Sequence, residues 1–343
     1  MWVDYRKGNI VSSIEASGRK VAYKILNNRI VEAIVVALIA TCFLVASAID
    51  RWTGAKFEKA FIHQLHKASQ DKLSNLRIAQ IRHIFRKRYG LSKIRLKLAG
   101  GSYWLSIPCI VTGIDRKTGQ QRKFMAKIIN NMSALKHRYM TMLRNLGVFA
   151  GSISGDIGLK FDEYVDAREM IEFEQQCLIR MGETIDTPAV LGLHHLNEDD
   201  YVLVIEYIEG KPLSEVGLGS SEIDQIFHML KMMHDNEFIH GDIKLDNFLL
   251  SNHRIYVVDC LKIGSTAPVV ARSFDLICAI CSLAEKAPVS MVIEYARKYF
   301  SDTELLNAGK LLDIAVSKVD IDLPGDKIEE LRKSLGGPET LRV

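Results

Sequence analysis

The sequence has no low-complexity segment and no internal repeat, which excludes a disordered tail or a solenoid array as its main architecture. Its six cysteines lie scattered at positions 42, 109, 177, 260, 278 and 281, and only Cys278 and Cys281 form a C-x-x-C pair. No second pair or histidine cluster completes a zinc site. The apolar flanks of that pair, Leu276, Ile277, Ala279 and Ile280, predict a buried helix carrying reduced thiols, as in a cytosolic domain. Charge is missing from residues 33–49, and acids are nearly missing from residues 51–97, where only Glu58 and Asp71 oppose thirteen Lys and Arg.

These two gaps organise the N-terminal part of the chain. The uncharged run AIVVALIATCFLVASAI would span about 25 Å as a helix, slightly short of a typical hydrocarbon layer. With Ile30 and Val31 before it and Trp52 after it as an interfacial anchor, residues 33–49 are expected to form a single transmembrane helix. A buried core helix is the alternative. A signal peptide ending at Ala46-Ser47-Ala48 fits less well, because its n-region would be 32 residues long.

The following excess of eleven positive charges contrasts with a net charge of only +4 for all 343 residues, so the rest of the chain is net acidic. Such a patch suits an anionic surface, a bilayer or nucleic acid. Phe57, Phe61 and Leu65, then Leu73, Leu76, Ile81, Ile84 and Phe85, recur at helical spacing. Residues 51–92 are therefore expected to be amphipathic juxtamembrane helices on a membrane face, with nucleic acid the weaker reading.

From residue 93 the pattern changes to short strands, at 94–98, 103–113 and 122–129, with a turn at 115–119. Helices are expected near 132–146 and 166–181, a strand at 201–207, and a mainly helical remainder with short strands at 248–250 and 255–258. At 48% hydrophobic and 25% charged residues, the chain can bury a large core. The order implies an α+β fold with a small antiparallel-sheet lobe (93–210), a larger helical lobe (211–343) and an N-terminal segment (1–50) before the basic helices.

The stretch FIHGDIKLDNFLLSNHRIYVVDC, residues 238–260, is the most informative. Asp242, Lys244 and Asn247 stand at D-x-K-x-x-N spacing, and Asp259 follows an apolar strand twelve residues later. Phosphoryl transfer needs cations on the phosphates, a carboxylate to orient the acceptor hydroxyl, and groups that neutralise the spreading charge. These four side chains are of the required types.

At these residues the sequence resembles the protein-kinase-like superfamily, in the H-G-D form typical of RIO-type and other small atypical kinases. Related forms occur in aminoglycoside and choline phosphotransferases. The resemblance covers about residues 93–300 and implies a two-lobed kinase-like fold using ATP and Mg²⁺. It implies Asp242 as catalytic base, Lys244 as the cation on the transferring group, and Asn247 and Asp259 as magnesium ligands. Lys127, on the third strand, would contact the α- and β-phosphates, with Glu174 as its ion-pair partner and Glu172 as the rival. Backbone groups at Glu206 and Ile208 would bind adenine above Leu249, and Gly100 and Gly101 stand where a phosphate-covering loop belongs.

The sequence departs from that pattern in places. The glycine loop is not a full G-x-G-x-x-G, and Cys260-Leu261 follow Asp259 where Phe-Gly is usual. Only sixteen positions separate Asp259 from Asp275, which leaves no room for a long activation segment or an A-P-E element. Residues 128–173 form an unusually long connection.

The expected function is therefore an atypical protein Ser/Thr kinase that transfers the γ-phosphoryl of ATP to a hydroxyl. A lipid or sugar kinase at a membrane, or an ATPase or nucleotide-sensing interaction protein, are the alternatives. In each case ATP use puts the catalytic part on the cytoplasmic side.

Overall fold

The computed structural model describes residues 18–53, 57–68, 71–99, 105–146, 158–318 and 320–336. The fold is α+β. Its contacts divide it into two compact units. The first comprises Met1–Met142, Glu163–Gln175 and Ala189–Tyr207; the second comprises Leu143–Asp162, Gln176–Pro188 and Ile208–Val343.

The first unit opens with helix over residues 18–26, then α1 (Arg29–Thr53), α2 (Phe57–Ala68) and α3 (Asn75–Arg88). Helix α1 extends beyond the uncharged run at both ends, and at its start Asn28 Oδ1 accepts the Ile30 N–H at 3.0 Å. One face of α1 buries Glu32, Val36, Phe43 and Ala46, while the opposite face leaves Ile30, Ile34, Leu38, Val45 and Ile49 exposed. It is long and apolar enough to cross a membrane.

Helix α3 is capped by the Ser74 hydroxyl, which accepts the Arg77 N–H. Its Ile81 and Phe85 pack on a five-stranded antiparallel sheet formed by β1 (Leu91–Leu98), β2 (Ile107–Asp115), β3 (Gln121–Asn130), β4 (Val190–His195) and β5 (Asp200–Glu206). The strand order is β1-β2-β3-β5-β4. Alternation of apolar residues explains the buried face: Ile107, Cys109 and Val111 of β2 lie against Phe124, Ala126 and Ile128 of β3 and Val202 and Val204 of β5. The expected turn at 115–119 joins β2 to β3. Asp115 Oδ1 accepts the N–H groups of Lys117 and Thr118, and Gly119 takes φ +70°. Strand β2 starts later than expected, at Ile107, and positions 103 and 104 lie outside the described residues.

Behind the sheet, Arg77 is 2% exposed and bridges two carboxylates. Its Nη2 lies 2.6 Å from Asp200 Oδ1 and its Nη1 lies 3.1 Å from Asp71 Oδ1. The Asn130 amide also donates to Asp71. Part of the positive excess in residues 51–97 is thus spent inside the protein and not on its surface.

Helices α4 (Asn131–Asn145) and α5 (Ala167–Gly182) follow β3. The second unit contains β6 (Lys211–Pro212), α6 (Ser220–Asp235), β7 (Phe248–Ser251), β8 (Arg254–Val257), α7 (Pro268–Ala284), α8 (Val289–Tyr299), α9 (Asp302–Gly309), α10 (Leu312–Val316) and α11 (Gly325–Ser334). Strands β6, β7 and β8 form a small antiparallel sheet. Helix α7 is buried almost all round, which accounts for Cys278 and Cys281: both are buried thiols without a disulfide. Burial pushes the Cys278 thiol up to about 12.

Candidate active site

In the first unit, Lys127 sits in mid-β3, paired in register with Pro108 on one side and Leu203 on the other. Its Nζ lies 2.8 Å from Glu174 Oε1 on α5. Glu172 points elsewhere, its carboxylate 2.7 Å from Arg168 Nε one turn back on the same helix. The helical period explains the choice, because residues two apart face away from each other. Glu206 ends β5, its N–H donating to Ala189 O at 2.8 Å and its carboxylate accepting the Ala189 N–H. Gly100 and Gly101 lie outside the described residues.

In the second unit, the segment between α6 and β7 forms a loop around Asp242. Both oxygens of the buried Asp275 carboxylate accept backbone N–H groups, from His240 at 2.7 Å and Gly241 at 2.8 Å. The His240 ring is fully buried. It accepts the Asp242 N–H on Nδ1 at 3.2 Å, and its Nε2 lies 3.3 Å from Val258 O, so those partners assign the proton to Nε2. Burial lowers its pKa against the opposing pull of Asp275, Asp242 and Asp259, which suits a neutral scaffold ring.

Gly241 has φ +77°, and a Cβ there would lie 2.6 Å from Leu261 O. That close approach, together with the positive φ, explains why this position takes glycine. Asp259 also adopts a left-handed backbone, φ +63°, although it is not glycine.

The half-buried Asp242 carboxylate lies at the centre of a charged cluster. Lys244 Nζ is 2.7 Å from Oδ2, and Lys318 Nζ is 3.1 Å from Oδ1. The Asn247 Nδ2 donates to the Asp242 carbonyl at 2.8 Å and to Oδ2 at 3.2 Å. Asp320 faces both lysines, 3.5 Å from Lys244 and 3.9 Å from Lys318. Burial pushes the Asp242 carboxyl up, but the two ammonium groups outweigh it and hold it well below the usual carboxylate range. Burial lowers Lys244 and Lys318, and the facing carboxylates more than restore them, so both stay raised and charged.

Lys318 and Asp320 escaped the sequence reading. They follow α10, more than seventy residues from Asp242 and beyond the stretch that carries the resemblance. No local spacing in the sequence marks them.

Among the described residues no cluster of three or more His, Cys, Asp or Glu side chains is arranged to enclose a metal ion. Magnesium does not need such a cage, since one or two carboxylates and substrate phosphates commonly hold it. The Asn247 nitrogen is committed to Asp242, which leaves its amide oxygen as the acceptor, a donor type that suits magnesium.

Leu249 of β7 is half-buried and pairs with Pro212 and Tyr256. The Ile208 carbonyl accepts the Gly210 N–H at 3.1 Å, and among the described residues no group accepts its own N–H.

The stretch after Asp259 is short and fastened. Lys262 O accepts the Asp162 N–H at 2.8 Å, and the Asp162 carboxylate accepts both the N–H and the hydroxyl of Ser265. The Thr266 hydroxyl accepts from Lys160 N at 2.8 Å and donates to Lys160 O at 2.6 Å.

No family model matches the chain. It is 31% identical over 110 residues to serine/threonine-protein kinase D of Synechocystis sp., a match covering 30% of this chain and 22% of that protein. It is 27% identical over 105 residues to serine/threonine-protein kinase PrkC of Bacillus subtilis, covering 27% of this chain and 16% of that protein. The chain thus spans less than a quarter of the length of either relative. The similarity is to bacterial serine/threonine kinases and is weak.

Proposed function

We propose that this protein is an atypical ATP- and magnesium-dependent kinase that transfers the γ-phosphoryl group of ATP to a hydroxyl, with protein Ser or Thr as the favoured acceptor. The observation that carries this reading is the convergence of Lys244, Asn247 and Lys318 on the Asp242 carboxylate, on a loop pinned by Asp275. The partial similarity to two bacterial serine/threonine kinases supports it.

In this reading Asp242 accepts a hydrogen bond from the acceptor hydroxyl and orients its oxygen toward the γ-phosphorus. The bond from that phosphorus to the β,γ-bridging oxygen breaks as the bond to the acceptor oxygen forms. The hydroxyl proton passes late to the Asp242 carboxylate, which suits a loose transition state and a weakly basic group. Lys244 neutralises charge on the transferring group. Lys318 is a positioning residue that keeps Asp242 ionised and aimed.

Lys127, held by Glu174, contacts the α- and β-phosphates. Backbone groups at Glu206 and Ile208 take the adenine, with Leu249 beneath it, and Gly100 and Gly101 belong to the phosphate-covering loop. Asn247 and Asp259 hold magnesium, which supplies charge neutralisation on the phosphates when bound. The apolar helix α1 attaches the enzyme to a membrane, with the nucleotide site on the cytoplasmic side. That attachment keeps a lipid or sugar hydroxyl as the second acceptor class.

The test is transfer from γ-labelled ATP with magnesium, in native membranes plus cytosol, comparing the unsubstituted protein with Asp242→Ala and Asp259→Asn. Label entering protein only with the unsubstituted enzyme supports the proposal. Label in lipid moves it to the second acceptor class. Label released only as free phosphate marks an ATPase, and ATP binding without turnover marks a nucleotide sensor.

A further inference from the structure

The chain on the two sides of the apolar helix returns to the same body. Before α1, Arg19 Nη1 lies 3.4 Å from Asp71 Oδ1, and Lys20 pairs with Glu198. The Tyr139 hydroxyl donates to Leu26 O at 2.5 Å, and Arg138 Nη2 donates to Asn27 Oδ1 at 2.6 Å. After α1 and α2, Asp71 is held by Arg77, which is itself anchored to Asp200 of β5. A single crossing would place residues 19–27 and residue 71 on opposite faces of a hydrocarbon layer about 30 Å thick. Side-chain contacts of 3.4 Å between them are incompatible with that.

Helix α1 is one arm of a helical hairpin. Its 25 residues run out about 37 Å, and the 12 residues of α2 run back about 18 Å and pack against it. Asp50 Oδ1, near the end of α1, accepts the Phe57 N–H at 2.7 Å at the start of α2. The inner face of α1 carries the buried Glu32, whose carboxylate lies 2.5 Å from Arg138 Nε, together with Val36, Phe43 and Ala46. An ion pair of this kind belongs inside protein and not in acyl chains. The sequence of α2 carries Glu58, Lys59 and Lys67 within twelve residues, so α2 is no second span.

The outer face is different. Ile30, Ile34, Leu38, Val45 and Ile49 recur on one side at helical spacing, all exposed, and the stripe ends at Trp52, which is 90% exposed. The basic stretch of residues 51–97 begins directly beside that tryptophan.

From these relations we infer that the hairpin is a monotopic anchor. The outer stripe of α1 is seated in one leaflet of an anionic bilayer, Trp52 lies at headgroup level, and the chain does not cross. The apolar face, the terminal tryptophan and the adjoining positive charge together fit lipid. This deepens the proposed membrane attachment and is independent of phosphoryl transfer.

Two measurements test it, neither reading activity. In sealed vesicles of both orientations, Lys24→Cys and Lys72→Cys on a Cys42→Ser background are probed with a membrane-impermeant maleimide. Both exposed positions are expected to react in the same orientation; reaction in opposite orientations overturns the proposal. The second is flotation of the full chain with vesicles of mixed zwitterionic and anionic lipid. Ile34→Glu/Leu38→Glu is expected to weaken binding by about a hundredfold, with an unchanged melting temperature because both positions are exposed. Unchanged binding overturns the proposal. So does an unsubstituted protein that ignores vesicles but dimerises through the stripe, which assigns that face to a second copy.

Discussion

Lys318 Nζ lies 3.1 Å from Asp242 Oδ1, while Lys244 Nζ lies 2.7 Å from Oδ2 of the same carboxylate. The two lysines grip one carboxylate from separate parts of the chain, and Asp320 keeps both charged. We expect Lys318→Met to lower kcat by about a hundredfold with little change in the KM for ATP. Removing the ammonium raises the Asp242 pKa, so the acid limb of kcat against pH moves upward, and Lys318→Arg restores part of both. Higher activity in Lys318→Met would instead make this lysine a block on the acceptor position.

The Lys127–Glu174 pair gives a sharp contrast between neighbours. Glu174→Gln is expected to lower kcat/KM for ATP by about tenfold or more by releasing the Lys127 ammonium. Glu172→Gln removes only an exposed pair with Arg168 and leaves the kinetics unchanged. Equal effects of the two substitutions would remove Glu174 from the site.

At position 241 the backbone, not the side chain, sets the requirement. Gly241→Ala brings a Cβ to within 2.6 Å of Leu261 O at a positive φ. We expect a loss of about 1–3 kcal/mol in urea unfolding, with Gly241→Arg at least as damaging. Tolerance of arginine here would show that the loop can shift.

His240 makes stability depend on pH. Its folded pKa lies below the ordinary 6.5, so below that value the unfolded chain takes up a proton that the folded chain refuses. Its contribution is complete above about pH 6.5 and is lost as pH falls through the depressed folded value. Burial also lowers His194, so part of the slope belongs to that residue. We expect the urea midpoint to fall from pH 7 to pH 5, and to fall less steeply in His240→Asn. The Asp242 contribution lies lower, present above about 3.8 and lost as pH falls through its own depressed value.

Much of this was legible in the sequence because it is local. The alternation in β2 and β3, the Asp-x-Lys-x-x-Asn loop and the long apolar run of α1 each follow from spacing along a short stretch. The partnership of Lys127 with a glutamate of α5 was legible only as a choice between two residues, which the helical period settled. Lys318 was illegible because nothing near position 318 encodes the folded-chain proximity that brings it to Asp242. The same holds for Glu32 and Arg138, 106 residues apart, and for the flanks of α1. Hydropathy reads a helix but not where its two ends go.

Ser265 and Thr266 are the hydroxyl side chains in the stretch between Asp259 and α7, and both are already engaged, with Asp162 and with the Lys160 backbone. A phosphate added at either would displace the clasp and set a dianion against the Asp162 carboxylate or the Lys160 carbonyl. Modification here would therefore unfasten the segment, so that added charge loosens this stretch of chain instead of ordering it.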